Sequence, residues 1–132
     1  MADVMQFDLV SPERMLLSVE AERVQVPGME GDMTALPNHS PLMTTLRPGV
    51  VSVHAGGSVE DYVVTGGFAE ISPAGTSILA EEAKPKADVT RDWLDAKMKE
   101  VEGEIEIAEG DAKIAASMRL NDLKAVGAQL GL

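Results

Sequence analysis

Proline sets the strongest limit on what this chain can fold into. All seven prolines (Pro12, Pro27, Pro37, Pro41, Pro48, Pro73 and Pro85) lie at or before residue 85 of 132. A proline inside a helix removes an N–H and clashes with the preceding turn. Residues 86–132, where Ala, Glu and Lys dominate, are therefore free to be helical, and the preceding part mostly is not. Eight of the twelve glycines also lie before that point. The pattern predicts two domains, 1–85 and 86–132, meeting at Lys84-Pro85-Lys86-Ala87-Asp88.

The first part reads as short strands. Apolar residues at Met5, Phe7 and Leu9 keep the two-residue period of a half-buried strand. Val24-Gln25-Val26 repeats it and stops at Pro27-Gly28, a turn signal. Val51-Ser52-Val53 leads through Ala55-Gly56-Gly57-Ser58 into Val59–Val64, a hairpin pattern. Phe68–Ile71 and Thr76–Ala80 close the series. Strands this short, with turn chemistry this frequent, predict an antiparallel sandwich or barrel. Between them, Pro27 to Pro41 reads as one long ordered loop crowded with turn formers, acids and a histidine. Loops projecting from a rigid scaffold are where contacts are made.

The second part reads as two helices. Leu94, Met98, Val101, Ile105, Ala108 and Ala112 advance by fours and threes, as one face of a helix does. Asp88 or Thr90 is placed to cap its start. Glu109-Gly110-Asp111 makes the break, with Gly110 allowing positive φ and Asp111 placed to cap the second helix. Ala116, Leu120, Leu123, Gly127 and Leu130 form the second stripe, and the short connection predicts an antiparallel hairpin. Both stripes are narrow and rich in alanine, and Gly103 in mid-helix costs about 1 kcal/mol relative to Ala. The hairpin is expected to be weakly held.

Composition then removes whole classes of function. The chain has no cysteine, so disulfide frameworks, thiolate metal sites and cysteine nucleophiles are out. A net charge of −11 argues against nucleic acid and against anionic lipid. No apolar stretch approaches the ~18–20 residues needed to span a bilayer, so no direct membrane insertion is expected. The start carries Asp3 and Asp8 and no base before Arg14, unlike a signal peptide. The composition is that of an acidic soluble protein with an aliphatic core.

Catalytic chemistry is equally hard to find. No glycine-rich phosphate loop is present, and no nucleophile elbow surrounds any serine. The two imidazoles, His39 and His54, lie 15 apart and match no zinc spacing. His39, between Asn38 and Ser40, reads as a loop hydrogen-bonder, and His54 as a solvated strand residue. Glu100, Glu102, Glu104 and Glu106 fall two apart, which on a helix points them in different directions rather than at one ion.

Three blocks in register carry a resemblance. They are Glu30-Gly31-Asp32 with Leu36-Pro37-Asn38-His39-Ser40-Pro41 and Leu46-Arg47-Pro48-Gly49-Val50, then Thr65-Gly66-Gly67-Phe68-Ala69-Glu70-Ile71, then Ile78-Leu79-Ala80-Glu81-Glu82-Ala83. Over roughly residues 5–84 the chain resembles the epsilon subunit of bacterial F-type ATP synthases. The resemblance implies a flattened antiparallel β-sandwich followed by a two-helix hairpin. It implies a noncatalytic rotor subunit of the central stalk, without cofactor, bound to the gamma subunit and resting on the c-ring. It also implies a peripheral position on the cytoplasmic face of the bacterial inner membrane.

Residue by residue, the resemblance sets Glu30, Gly31 and Asp32 facing the polar loops of the c subunits, with Asp32 and Glu30 pairing to Arg or Lys there. His39 and Pro41 fall near gamma. In many relatives the hairpin swings toward the alpha/beta catalytic head and brakes hydrolysis, and some relatives bind ATP through an Ile/Leu-Asp-x-x-Arg-Ala motif. Here that motif reads Leu94-Asp95-Ala96-Lys97-Met98-Lys99, with Met98 at the Arg position. Losing the planar guanidinium predicts weak or absent ATP binding, against the alternative of a nucleotide-sensing module. Lys113 and Lys124 share one face of the last helix and Arg119 lies roughly opposite, so the basic face for a brake is thin.

Overall fold

The computed structural model describes residues 3–132. The described residues form ten strands, a short 3-10 turn (Lys86–Asp88) and two helices. In chain order the strands are β1 (Met5–Val10), β2 (Met15–Ala21), β3 (Arg23–Gly28), β4 (Gly31–Ala35) and β5 (Leu42–Leu46). They continue with β6 (Gly49–Ala55), β7 (Ser58–Val64), β8 (Gly67–Ser72), β9 (Gly75–Ala80) and β10 (Ala83–Pro85). The helices are α1 (Arg91–Ile107) and α2 (Asp111–Leu130). The ladder runs β10-β7-β6-β3-β5-β8-β9-β1-β2, with β4 paired to β3 beside it. Every pairing is antiparallel except β1 with β9.

Alternation decides which face each strand buries. Met5, Phe7 and Leu9 of β1, Val51 and Val53 of β6, and Ile78 of β9 all point inward. The sheet folds over so that β2 lies against β6, and these aliphatic side chains fill one core with Phe7 as its largest member. A two-layer sandwich results because each layer has one apolar face to hide.

The stretch from Pro27 to Pro41 is not one long loop. β3 continues through Pro27 to Gly28, turns over Met29-Glu30, and returns as β4, with Gly28 opposite Gly31. Pro27 is tolerated because it lies near the end of its strand, and its carbonyl still accepts from the Arg47 N–H at 3.1 Å. Gly31 takes φ 142°, a conformation side chains rarely adopt. β2 and β5 also go beyond the expected strands. In Leu16-Leu17 and Leu42-Met43 successive apolar residues blur the two-residue alternation that marks a half-buried strand.

The helices follow their stripes. Thr90 caps α1, its side chain accepting from the Trp93 N–H at 3.1 Å, while Asp88 sits in the 3-10 turn. Gly110 has φ 60° as expected, but Asp111 is the first residue of α2 and caps nothing. Its charge instead faces the positive end of the helix dipole. The hairpin docks on the outer face of β6 and β7, where Val63 joins Leu94, Val101, Ala116, Leu123 and Val126 in a second core. Val126, off the predicted stripe, is buried because α2 packs on β6 as well as on α1. Toward the tip the stripe frays, and Ala112 is exposed.

Candidate interaction surfaces

The Met29-Glu30 turn projects from one end of the sandwich, and both residues are exposed. Arg47 fixes its base. Its Nε donates to the Gly28 carbonyl at 3.1 Å and its guanidinium pairs with the Asp32 carboxylate. Asp32 is thus already partnered within the chain, although its side chain remains 81% exposed. Glu30, at the tip, has no ion pair among the described residues.

The layer formed by β5, β8, β9, β1 and β2 leaves its outer face uncovered. Register places Thr45, Phe68, Leu79, Val10 and Met15 in one row across it. Phe68, Leu79 and Met15 are each more than half exposed, and Met43 on the neighbouring row is 67% exposed. Beside them Asp8 accepts from Ser18 Oγ at 2.7 Å and from Gln6 Nε2 at 3.0 Å. The Ser18 bond, then the Gln6 bond, holds the Asp8 carboxyl below the ordinary aspartate range. His39 and Pro41 lead into β5 at the edge of this face. His39 Nδ1 donates to the Ser40 carbonyl at 2.6 Å, so it is hydrogen-bonded within its loop.

On the opposite side, ion pairs hold the hairpin and the 3-10 turn before it to the sandwich. Lys97 Nζ meets Glu82 at 2.5 Å and Lys86 meets Asp61 at 3.6 Å. The Glu82 bond is the main cause that pushes the Lys97 ammonium pKa up. Lys84 and Lys97 lie 5.4 and 5.7 Å from the centre of the Trp93 ring, a cation–π arrangement. His54 is not the solvated residue expected from the sequence. It is half-buried on β6, and its Nε2 has no hydrogen-bond partner among the described residues. Glu100 pairs with Lys97 and Glu104 with Arg119, while Glu102 and Glu106 are exposed on other faces of α1.

The residues of the degenerate nucleotide motif do not converge. Leu94 is buried against α2, Met98 packs on the same core, and Asp95 accepts from Arg91 at 3.2 Å on the helix surface. Lys113 and Lys124 are exposed, and Arg119 is taken up by Glu104. Sequence reasoning missed Arg47 as a clamp and the uncovered sheet face as a surface. For the face a signal existed. Ile78-Leu79-Ala80 and Phe68-Ala69 place apolar groups on both sides of their strands, as strands covered on both faces do.

Residues 4–86 match the family described as ATP synthase, Delta/Epsilon chain, beta-sandwich domain. The ATP synthase epsilon chain of Ruegeria sp. (strain TM1040) is 49% identical over 138 residues, covering all of both chains. That of Paracoccus denitrificans (strain Pd 1222) is 45% identical, covering all of this chain and 94% of its own. In a cryo-EM structure of the Euglena gracilis mitochondrial ATP synthase (OSCP/F1/c-ring, rotational state 1), one chain superposes with a TM-score of 0.74 at 22% identity. The match covers 96% of this chain and 81% of that one and shows a shared fold.

Proposed function

The chain belongs to the ATP synthase epsilon-chain family, and from this we propose that it is the coupling piece of the rotor, joining the gamma subunit to the c-ring. As an epsilon chain it is a noncatalytic subunit of ATP synthase. Among the described residues no helix is long and apolar enough to cross a membrane. In this reading the subunit sits peripherally, on the cytoplasmic side of the bacterial inner membrane.

The observation that carries the reading is the uncovered sheet face. A row of Phe68, Leu79 and Met15 in water is costly unless a partner covers it, because each buried apolar group contributes through the area it removes from water. Gamma covers that face, with His39 and Pro41 at its margin. The Met29-Glu30 turn, braced by Asp32 and Arg47, meets the polar loops of the c-ring with Glu30 leading. Surface ion pairs contribute only ~0–1 kcal/mol each, so the turn sets orientation and the apolar face sets affinity.

Torque then needs no reactive group in this chain. It needs interfaces that do not slip, and a sandwich whose strands interlock through nine pairings supplies a stiff body. The hairpin, with Leu94 and Met98 committed to packing and two exposed lysines on its last helix, is a weak nucleotide sensor and a weak brake on the catalytic head.

The test is reconstitution of the enzyme with Phe68→Asp plus Leu79→Asp, and separately with Glu30→Lys. The double variant should lose co-purification with gamma while the isolated chain stays folded, since both side chains are exposed and the facing Asp pair costs only about 1 kcal/mol. Glu30→Lys should retain gamma and lower proton-driven ATP synthesis. Retained gamma binding in the double variant would show that the face is not the gamma interface. Unchanged synthesis with Glu30→Lys would remove the c-ring assignment.

A further inference from the structure

Arg47 has a second carboxylate within its field. Asp122 of α2 lines the same cleft as Arg47 and Asp32, a cavity of about 250 Å³ between α2 and the outer face of β3 and β6. Gln25 and Ser52 on the sheet and Gln129 on the helix line the same cleft and make its walls polar. Among the described residues Asp122 forms no ion pair. Burial pushes its carboxyl pKa up, and the Arg47 charge offsets only part of that.

One guanidinium is therefore set between two acids on different parts of the molecule. Its present bonds, to Asp32 and to the Gly28 carbonyl, both serve the β3–β4 turn. With Nε on the Gly28 carbonyl and one Nη on Asp32, the guanidinium makes no bond to Asp122 in this arrangement. The polar cleft wall gives the side chain hydrogen-bonding groups to move along. The exposed acid holds the cation, and the half-buried acid, which would gain more from it, lacks it.

We propose that Arg47 is a positioning residue shared between the turn and the hairpin: when a basic group of a partner engages Asp32, Arg47 is released to Asp122 and draws α2 more tightly onto the sandwich. Only its physiological trigger, a c-ring cation at the turn, rests on the function proposed above. The coupling is reciprocal by linkage. A hairpin pulled away from the sandwich returns Arg47 to Asp32 and lowers the affinity of the turn for a basic partner. A subunit seated on its ring would thus keep its hairpin folded down.

The experiment uses the isolated full chain and amide hydrogen exchange across Arg119–Gly127. Asp32→Asn removes the competing carboxylate as an engaged partner would. It should slow exchange in α2 about two- to fivefold, the range of a single partly exposed ion pair. In an Asp122→Asn or Arg47→Met background the same substitution should change nothing. Asp32→Glu, which keeps the charge, should leave α2 as it is. If Asp32→Asn perturbs the sandwich itself, seen as faster exchange at Phe7 and Ile78, Asp32→Ser is measured against the same expectation. Unchanged or faster α2 exchange on loss of the Asp32 charge overturns the proposal, as does slowing that persists with Asn at 122. No c-ring is present in this measurement, so a wrong partner for the turn would not alter its outcome.

Discussion

Leu94→Ala should open the hairpin and leave the sandwich folded. Leu94 is 1% exposed and lies where α1 crosses α2, and a Cβ on Gly127 would sit 2.9 Å from its Cδ2. Truncation removes three buried carbons, about 2.4 kcal/mol at ~0.8 kcal/mol each. Gly127 has no side chain to fill the space, so a cavity penalty adds to this and the total is roughly 3 kcal/mol, within the range of Leu-to-Ala cores. The ion pairs that remain, Lys97 to Glu82 on α1 and Lys86 to Asp61 at the turn before it, are partly exposed and contribute ~0–1 kcal/mol each. They cannot offset the loss. The docking equilibrium should shift by roughly a hundredfold, at 1.4 kcal/mol per factor of ten. Site-resolved amide exchange reads this directly. Amides of Val101 and Leu123 should accelerate by about that factor, and those of Phe7 and Ile78 in the other core should hold. Equal acceleration in both cores would mean that helices and sandwich unfold as one unit. No acceleration at Val101 would mean that the helices close over the gap, and the inference of a thin, tightly fitted hairpin core would fail.

Three further outcomes rest on the same geometry. Ser18→Ala should return the Asp8 carboxyl toward the ordinary aspartate range in an NMR titration. Because the folded-state pKa is lowered, this carboxylate stabilises the fold above its unfolded pKa and loses that contribution as pH falls through the folded value, so the variant should show a shallower loss of stability in acid. Calorimetry of the isolated chain with ATP should show no micromolar binding, since Met98 stands where the motif needs a guanidinium; a micromolar Kd would restore the nucleotide-sensing alternative. Deleting residues 88–132 should leave ATP synthesis intact and raise hydrolysis only modestly, whereas a many-fold rise would show that the hairpin is a strong brake.

The sequence makes legible whatever a local pattern determines. Met5-Gln6-Phe7-Asp8-Leu9 alternates because one face meets a core, and Leu94 to Ile105 steps by fours and threes because one side meets a helix. Gly110 marks the turn between helices because few other residues take its φ. Features that depend on two distant segments meeting are not legible. Asp32 reads as a free surface acid because nothing local shows that Arg47, 15 residues on, returns beside it. His54 reads as solvated because its place before a Gly-Gly turn does not reveal that β6 runs between β3 and β7, where it is half-buried. Pro27 suggests a loop because the rule against proline in strands applies where a ladder N–H is needed, and at the end of β3 none is.

In the reading proposed above, the two cores would let one small chain serve both a rigid and a movable role. The sandwich core is closed by ladders of high sequence separation, such as β1 with β9 and β6 with β3, so no inner strand leaves without breaking two or more ladders. The hairpin core borrows only Val63 from the sheet among its fully buried members, and the rest comes from residues after 88. Opening it exposes a short list of Val, Leu and Ala side chains and breaks no ladder. Low cost of local opening is what a moving element requires, and high cost is what a torque-bearing element requires. The polar joint between them, where Arg47 pairs with the turn and lines the cleft under α2, lies at the boundary of these two parts.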